Sequence, residues 1–112
     1  MVFDLEDKAL EFIEQNGSSA VISLKFVHCI GDAICVSKRL LGSQLPTIRL
    51  GEPENEETVA FHTVRVRRAT IYYHQNLGVK FGASKIRVTF RNLFWWRWLE
   101  IEGAKLIPVF DD

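Results

Sequence analysis

The sequence predicts an α+β domain: an N-terminal helix followed by a β-rich sandwich or small barrel of mixed, mainly antiparallel strands. Three observations carry this expectation. One segment near the start repeats apolar residues at helical spacing. From Ala20 onward the pattern changes to short alternating runs rich in β-branched and aromatic residues. Glycine, proline or polar clusters separate these runs, and no repeat or low-complexity tract interrupts them. With 112 residues, a single domain over 1–112 is the natural reading, long enough to bury a core without staples.

The helix is expected over Leu5–Gln15. Leu5, Ala9, Phe12 and Ile13 share one face. Asp4 is placed to cap the first turn, and Glu6 and Asp7 suit the positive end of the helix dipole. Asn16-Gly17 stops it, because glycine enters the left-handed region cheaply.

Ala20–Val27 reads as a strand, with Ile22, Leu24 and Phe26 on one face. Gly31-Asp32 is a turn signal, and Ala33–Val36 is expected to be the returning strand. Gly42 and Pro46 argue for a break around Lys38–Leu45. Thr47–Leu50 is a short strand ending at Gly51, and Glu52–Glu57 is a polar loop. Thr58–Val66 and Ala69–Tyr73 form strands around Arg67-Arg68, and His74–Gly82 reads as a loop or single helical turn. Lys85–Phe90 alternates well, and Leu93–Ile101 is expected as the last strand.

The chemistry-bearing groups gather in His28-Cys29-Ile30-Gly31-Asp32-Ala33-Ile34-Cys35, which holds both cysteines of the chain. A thiolate attacks disulfides and binds soft metals. Cys29, Cys35 and His28 are therefore the candidate metal or thiol residues. Turn geometry bears on whether the cysteines act together. In a two-residue turn at Gly31-Asp32, Cys35 stands opposite His28 and the sulfurs point to opposite faces. In a three-residue loop, Cys29 and Cys35 face each other with Cβ atoms about 4.5–5.5 Å apart. Glycine at the first central position favours the two-residue turn. Cys29 is then the thiol at the turn and Cys35 a small core residue. His28, His62 and His74 match no zinc spacing, nor does Cys-x5-Cys.

Leu93-Phe94-Trp95-Trp96-Arg97-Trp98-Leu99 is apolar on both strand faces. So small a domain cannot easily cover both, so Trp95, Trp96 and Trp98 are candidate interface residues and a homo-oligomer is expected. Stacking of single-stranded nucleic acid on these rings is a weaker reading.

Formal net charge is zero, yet no acidic residue falls between Phe61 and Leu99 while Arg65, Arg67 and Arg68 lie within it. These three are a candidate anion patch. The preferred reading is plainer: outward arginines balanced by acidic parts of the fold, with nucleic acid not expected as a partner. No run of about eighteen apolar residues exists, so no membrane partner is expected. The acidic start and two lone thiols predict a cytoplasmic protein without a secretory leader. No phosphate-binding loop, serine-nucleophile motif or carboxylate pair stands out, so ordinary hydrolase or dehydrogenase chemistry is not expected.

Several stretches together resemble the HesB-like proteins, which include the A-type iron–sulfur carriers. The strand Ile22–Val27 leading into Cys29-Ile30-Gly31 is similar to that family's Cys-Ser-Gly turn. Val64-Arg65-Val66, Ala69–Tyr73 and Gln75-Asn76-Leu77 resemble its hairpin and following loop. Glu102-Gly103-Ala104-Lys105 is similar to the end of a small branch carrying Cys-Cys or Cys-selenocysteine at the turn. The resemblance implies a HesB-like domain with an iron–sulfur, iron, other metal or thiol-redox role centred on Cys29. Ile30 stands where that branch has its second cysteine, and the carriers' C-terminal Cys-Gly-Cys has no counterpart in Ile107-Pro108-Val109-Phe110-Asp111-Asp112. A cluster would therefore draw ligands from an oligomer or a protein partner. The alternatives are a binding or scaffold module that has lost the ligands, and an anion binder using the arginines.

Overall fold

A computed structural model describes residues 2–28, 40–54 and 60–110. Its elements, in chain order, are β1 (Phe3–Leu5), α1 (Asp7–Gln15), β2 (Ser19–His28), β3 (Leu40–Leu50), β4 (Phe61–Val66), β5 (Ala69–His74), β6 (Ile86–Leu93), β7 (Trp96–Glu102) and β8 (Ile107–Phe110). Two sheets form, ordered β1-β6-β7 and β4-β5-β2-β3-β8. The β1–β6 and β2–β5 pairs are parallel and the other ladders antiparallel. The sheets curl as a half-barrel around one core, so the β-rich, mixed and mainly antiparallel expectation holds.

The helix is not the first element. Asp4, expected as its cap, lies in β1 opposite Arg87 of β6. Glu6 takes the cap position without a side-chain capping bond. Its Oε1 instead accepts a hydrogen bond from the Phe90 amide at 3.3 Å, and its own amide donates to Val88 O at 2.9 Å. Pairing with β6 has thus captured the residues that helix propensity alone would give to the first turn. The stop is as expected: Asn16 caps, and Gly17 and Ser18 follow at φ +102° and +60°.

The core lies between the inner sheet faces and α1. Leu5, Ala9, Ile13, Ala20, Ile22, Ile71, Ile86 and Val88 are buried in it, and Leu99 closes it from β7. Phe12 reaches Phe90 with ring centroids 5.0 Å apart, and Phe3 of one sheet meets Tyr73 of the other at 5.1 Å. Each fully buried isoleucine contributes about 1.5–3 kcal/mol through lost water contact.

Three further expectations are corrected. β3 runs through Gly42 and Pro46, with Pro46 opposite Leu24. The β3–β8 pairing ends at Gln44, so β3 is an edge strand from Leu45 onward, where proline is tolerated. Leu93–Ile101 is not one strand: the chain reverses at Phe94-Trp95, with Leu93 opposite Trp96. A final strand, β8, appears where none was expected. Of the Thr58–Val66 strand, Phe61–Val66 is seen. The Arg67-Arg68 hairpin is as expected, with Val66 opposite Ala69. No described helix is long and apolar enough to cross a membrane.

Candidate functional site

β2 carries the chain to His28, and Cys29 follows it directly. Cys29, Cys35, the Gly31-Asp32 turn and the Ala33–Val36 strand all lie outside the described residues. What is described is the ladder at either end of that segment. The antiparallel partner of His28 is Gly42, the register holding unbroken from Ala20↔Leu50. The turn and the return strand that would set Cys35 against His28 lie outside the described residues, and the described partner of His28 is Gly42.

The other histidines do not approach this end. Tyr73 of β5 pairs with Ile22 well before His28 along β2. At about 3.3 Å per residue, His62 and His74 stand roughly 15–20 Å from the strand end. They also point to opposite faces, since His62 lies opposite Tyr73 and His74 opposite Phe61. His62 packs on the Tyr73 ring at 5.5 Å, and His74 packs on Phe61 at 5.5 Å while its Nδ1 accepts from the Asn76 amide at 3.1 Å. Among the described residues no group of three or more His, Cys, Asp or Glu side chains converges.

Three bases of the basic stretch, Arg67, Lys85 and Arg91, pair with acids from elsewhere in the fold. Arg67 pairs with Asp7 at 3.0 Å and Lys85 with Asp4 at 3.3 Å. Arg91 reaches Glu100 at 3.3 Å and Glu102 at 3.8 Å. Strand pairing places acids beside a base: Arg87 lies opposite Asp4 of β1 and Glu102 of β7. Of the candidate anion patch, Arg67 is engaged with Asp7, while Arg65 and Arg68 stay exposed on β4 and its turn. A shallow cleft of about 640 Å³ beside that pair is lined by Asp4, Glu6, Asp7, Lys8, Arg67 and Arg87 among others. Its charges are mixed, which does not favour a simple anion.

The aromatic segment forms the apex of the β6–β7 hairpin. Phe94 is 86% exposed, Trp95 80%, Trp96 65% and Leu93 57%. Phe94 sits at φ +56°, the sign a type II′ turn wants at its first central position, where glycine is usual. One step behind the apex, Trp98 Nε1 donates to Glu100 Oε1 at 3.0 Å. That hydrogen bond, then the one from Arg91, holds the Glu100 carboxyl below its ordinary value. Sequence periodicity missed the reversal because an all-apolar run carries no turn residue.

Comparisons with curated proteins and with solved structures find no match. A family model does match residues 1–104, through both sheets and across the cysteine-bearing segment. By that match the chain belongs to the CC/Se motif containing family.

Proposed function

We propose that this is a HesB-like thiol-redox protein in which Cys29 is the attacking thiol and Cys35 resolves the intermediate. The observation that carries this reading is the His28–Gly42 pair. It places the strands that flank residues 29–39 side by side, at the inter-strand spacing of about 4.8 Å. Both thiols lie within the eleven residues that join these two strands. The family is described by a CC/Se motif. Here Ile30 follows Cys29, so Cys35 is the second thiol the chain offers.

The chemistry is thiol–disulfide exchange. The Cys29 thiolate attacks a disulfide on a partner, forms a mixed disulfide and releases the partner's first thiolate. The Cys35 thiolate then attacks the Cys29 sulfur. The Cys29–Cys35 disulfide forms and the partner's second thiolate leaves. Two electrons pass to the partner, which takes up two protons, and a thiol donor restores the dithiol.

A cluster or metal role is the second reading. β8 supports it only by position: Phe110 pairs with Leu40, beside the end of the cysteine segment. Yet Ile107-Pro108-Val109-Phe110 offers no ligand. A cluster would need donors from a second chain, so thiol exchange is favoured.

The test is trapping and metal analysis on anaerobically purified protein. With a small disulfide oxidant, the wild type is expected to lose both alkylatable thiols in one step. Cys35→Ser is expected to accumulate a mixed disulfide at Cys29. Wild-type protein that keeps free thiols under that oxidant contradicts the reading. Stoichiometric iron lost in Cys29→Ser establishes the cluster reading instead.

A further inference from the structure

We infer that the outer face of the β6–β7 hairpin, at its apex end, is the contact surface for a second copy of this chain in a two-fold dimer. The inference is independent of the thiol chemistry.

The first observation is a change of character along one sheet face. Val88 and Leu99 point into the core, and Phe12 of α1 meets Phe90 on that same inner side. Side chains alternate along a strand, so the neighbours of these residues line the opposite face. At one end of that face Arg87 stands opposite Glu102 and Thr89 opposite Glu100. A solvated sheet face is expected to stay polar in this way. Two rungs further on it turns aromatic: Trp98 stands opposite Arg91 and Trp96 opposite Leu93. Phe94 and Trp95 continue the patch over the turn, their rings 6.0 Å apart. All five apolar side chains are exposed, so no described element covers them.

The second observation is area. The exposed parts of these five side chains amount to roughly 600 Å² of apolar surface. Homodimer interfaces are about 65% apolar, so such a patch corresponds to about 900 Å² per protomer. That exceeds the about 800 Å² each partner contributes to a stable interface. Tryptophan, phenylalanine and arginine are also the residues that interfaces favour.

The third observation is charge, and it selects the occupant. A two-fold axis sets the same surface against itself, so a charged patch would repel its copy. Here Arg87 and Arg91 stand among Glu100 and Glu102 on one face, and Arg91 reaches both carboxylates. The border of the patch is neutral yet carries both signs, so the arginine of each copy can pair with the carboxylates of the other. A neutral border offers nothing to an anionic surface. Arg97 lies on the inner face opposite Asn92, turned away from the contact. Finally, folding does not call for this residue choice: positive φ at Phe94 favours glycine, and a bulky ring there is strained.

Sedimentation velocity of the full chain over a range of concentrations tests this. Excess reductant keeps disulfides through Cys29 or Cys35 from linking the copies. The expected result is a concentration-dependent dimer, with tryptophan emission moving to shorter wavelength as it forms. Trp96→Ser is expected to raise the dissociation constant about tenfold or more. Leu93→Glu sets like charges across the axis and is expected to abolish the dimer. Phe81→Ser, fully exposed in the loop that the Lys80 amide ties to Gly103 O, is expected to leave it unchanged. Circular dichroism checks the fold of each variant. A wild type that stays monomeric up to millimolar concentration overturns the inference, as does a dimer that folded Trp96→Ser and Leu93→Glu leave intact. A monomer that instead floats with lipid vesicles through Trp96 assigns the face to a membrane and also overturns it.

Discussion

His28 stands opposite Gly42, the last described pair of the β2–β3 ladder before Cys29. Strand pairing therefore continues to the edge of the cysteine segment, and residues 29–39 join two strands already side by side. Cross-strand nuclear Overhauser effects follow from this register. Contacts between His28 and Gly42, and between Phe26 and Gln44, are expected in the reduced protein. A His28–Cys35 contact in their place would restore the tight hairpin.

Phe94 at φ +56° is a bulky residue where the turn favours glycine. Phe94→Gly removes that strain at some cost in unfolded-chain entropy. A net stabilisation of about 1 kcal/mol is expected by urea titration. Since the ring is 86% exposed, little packing is lost. A loss of stability would mean that the ring holds the turn together.

Gly103 is the reverse case. It sits at φ +85°, and a Cβ there would collide with the Lys85 carbonyl oxygen. Its own carbonyl accepts from the Lys80 amide at 2.7 Å, and Lys105 N donates to Gly78 O at 2.9 Å. Gly103→Ala is expected to destabilise by about 2–3 kcal/mol, read as a lower urea midpoint. A change within about 0.5 kcal/mol would contradict the close approach of β7 to the Lys85 backbone.

Glu100 is held below the ordinary glutamate value of 4.5 by Trp98 and Arg91. A depressed folded value stabilises the fold above the unfolded pKa, and that contribution disappears as pH falls through the folded value. Trp98→Phe removes the first-named cause. Its Glu100 carboxyl is expected to titrate at higher pH than in the wild type by carbon-detected resonance. An unchanged midpoint would remove Trp98 from the account.

How far the fold could be read depended on local signals. The amphipathic face of Ala9, Phe12 and Ile13, the Asn16-Gly17 stop and the β4–β5 hairpin each carry their own periodicity or turn residues. β1 was missed because Phe3–Leu5 gains its pairing from β6, far away in sequence. Pro46 reads as a breaker only until the β3–β8 pairing is known to stop at Gln44. Leu93–Ile101 hid a reversal because Phe94 occupies a glycine position. For the candidate site, the Cys29 segment was legible from residue type. The His28 register was not, because glycine at position 31 signals a turn more strongly than Gly42 signals a partner.

The most direct test of the central claim is an equilibrium titration of the full chain in glutathione buffers, read by intact mass after alkylation. The account predicts a single two-electron transition from two alkylated thiols to one internal disulfide joining Cys29 and Cys35. Cys29→Ser and Cys35→Ser should each abolish it. Two independent glutathione adducts, one on each cysteine and with no internal disulfide at any poise, would contradict the account.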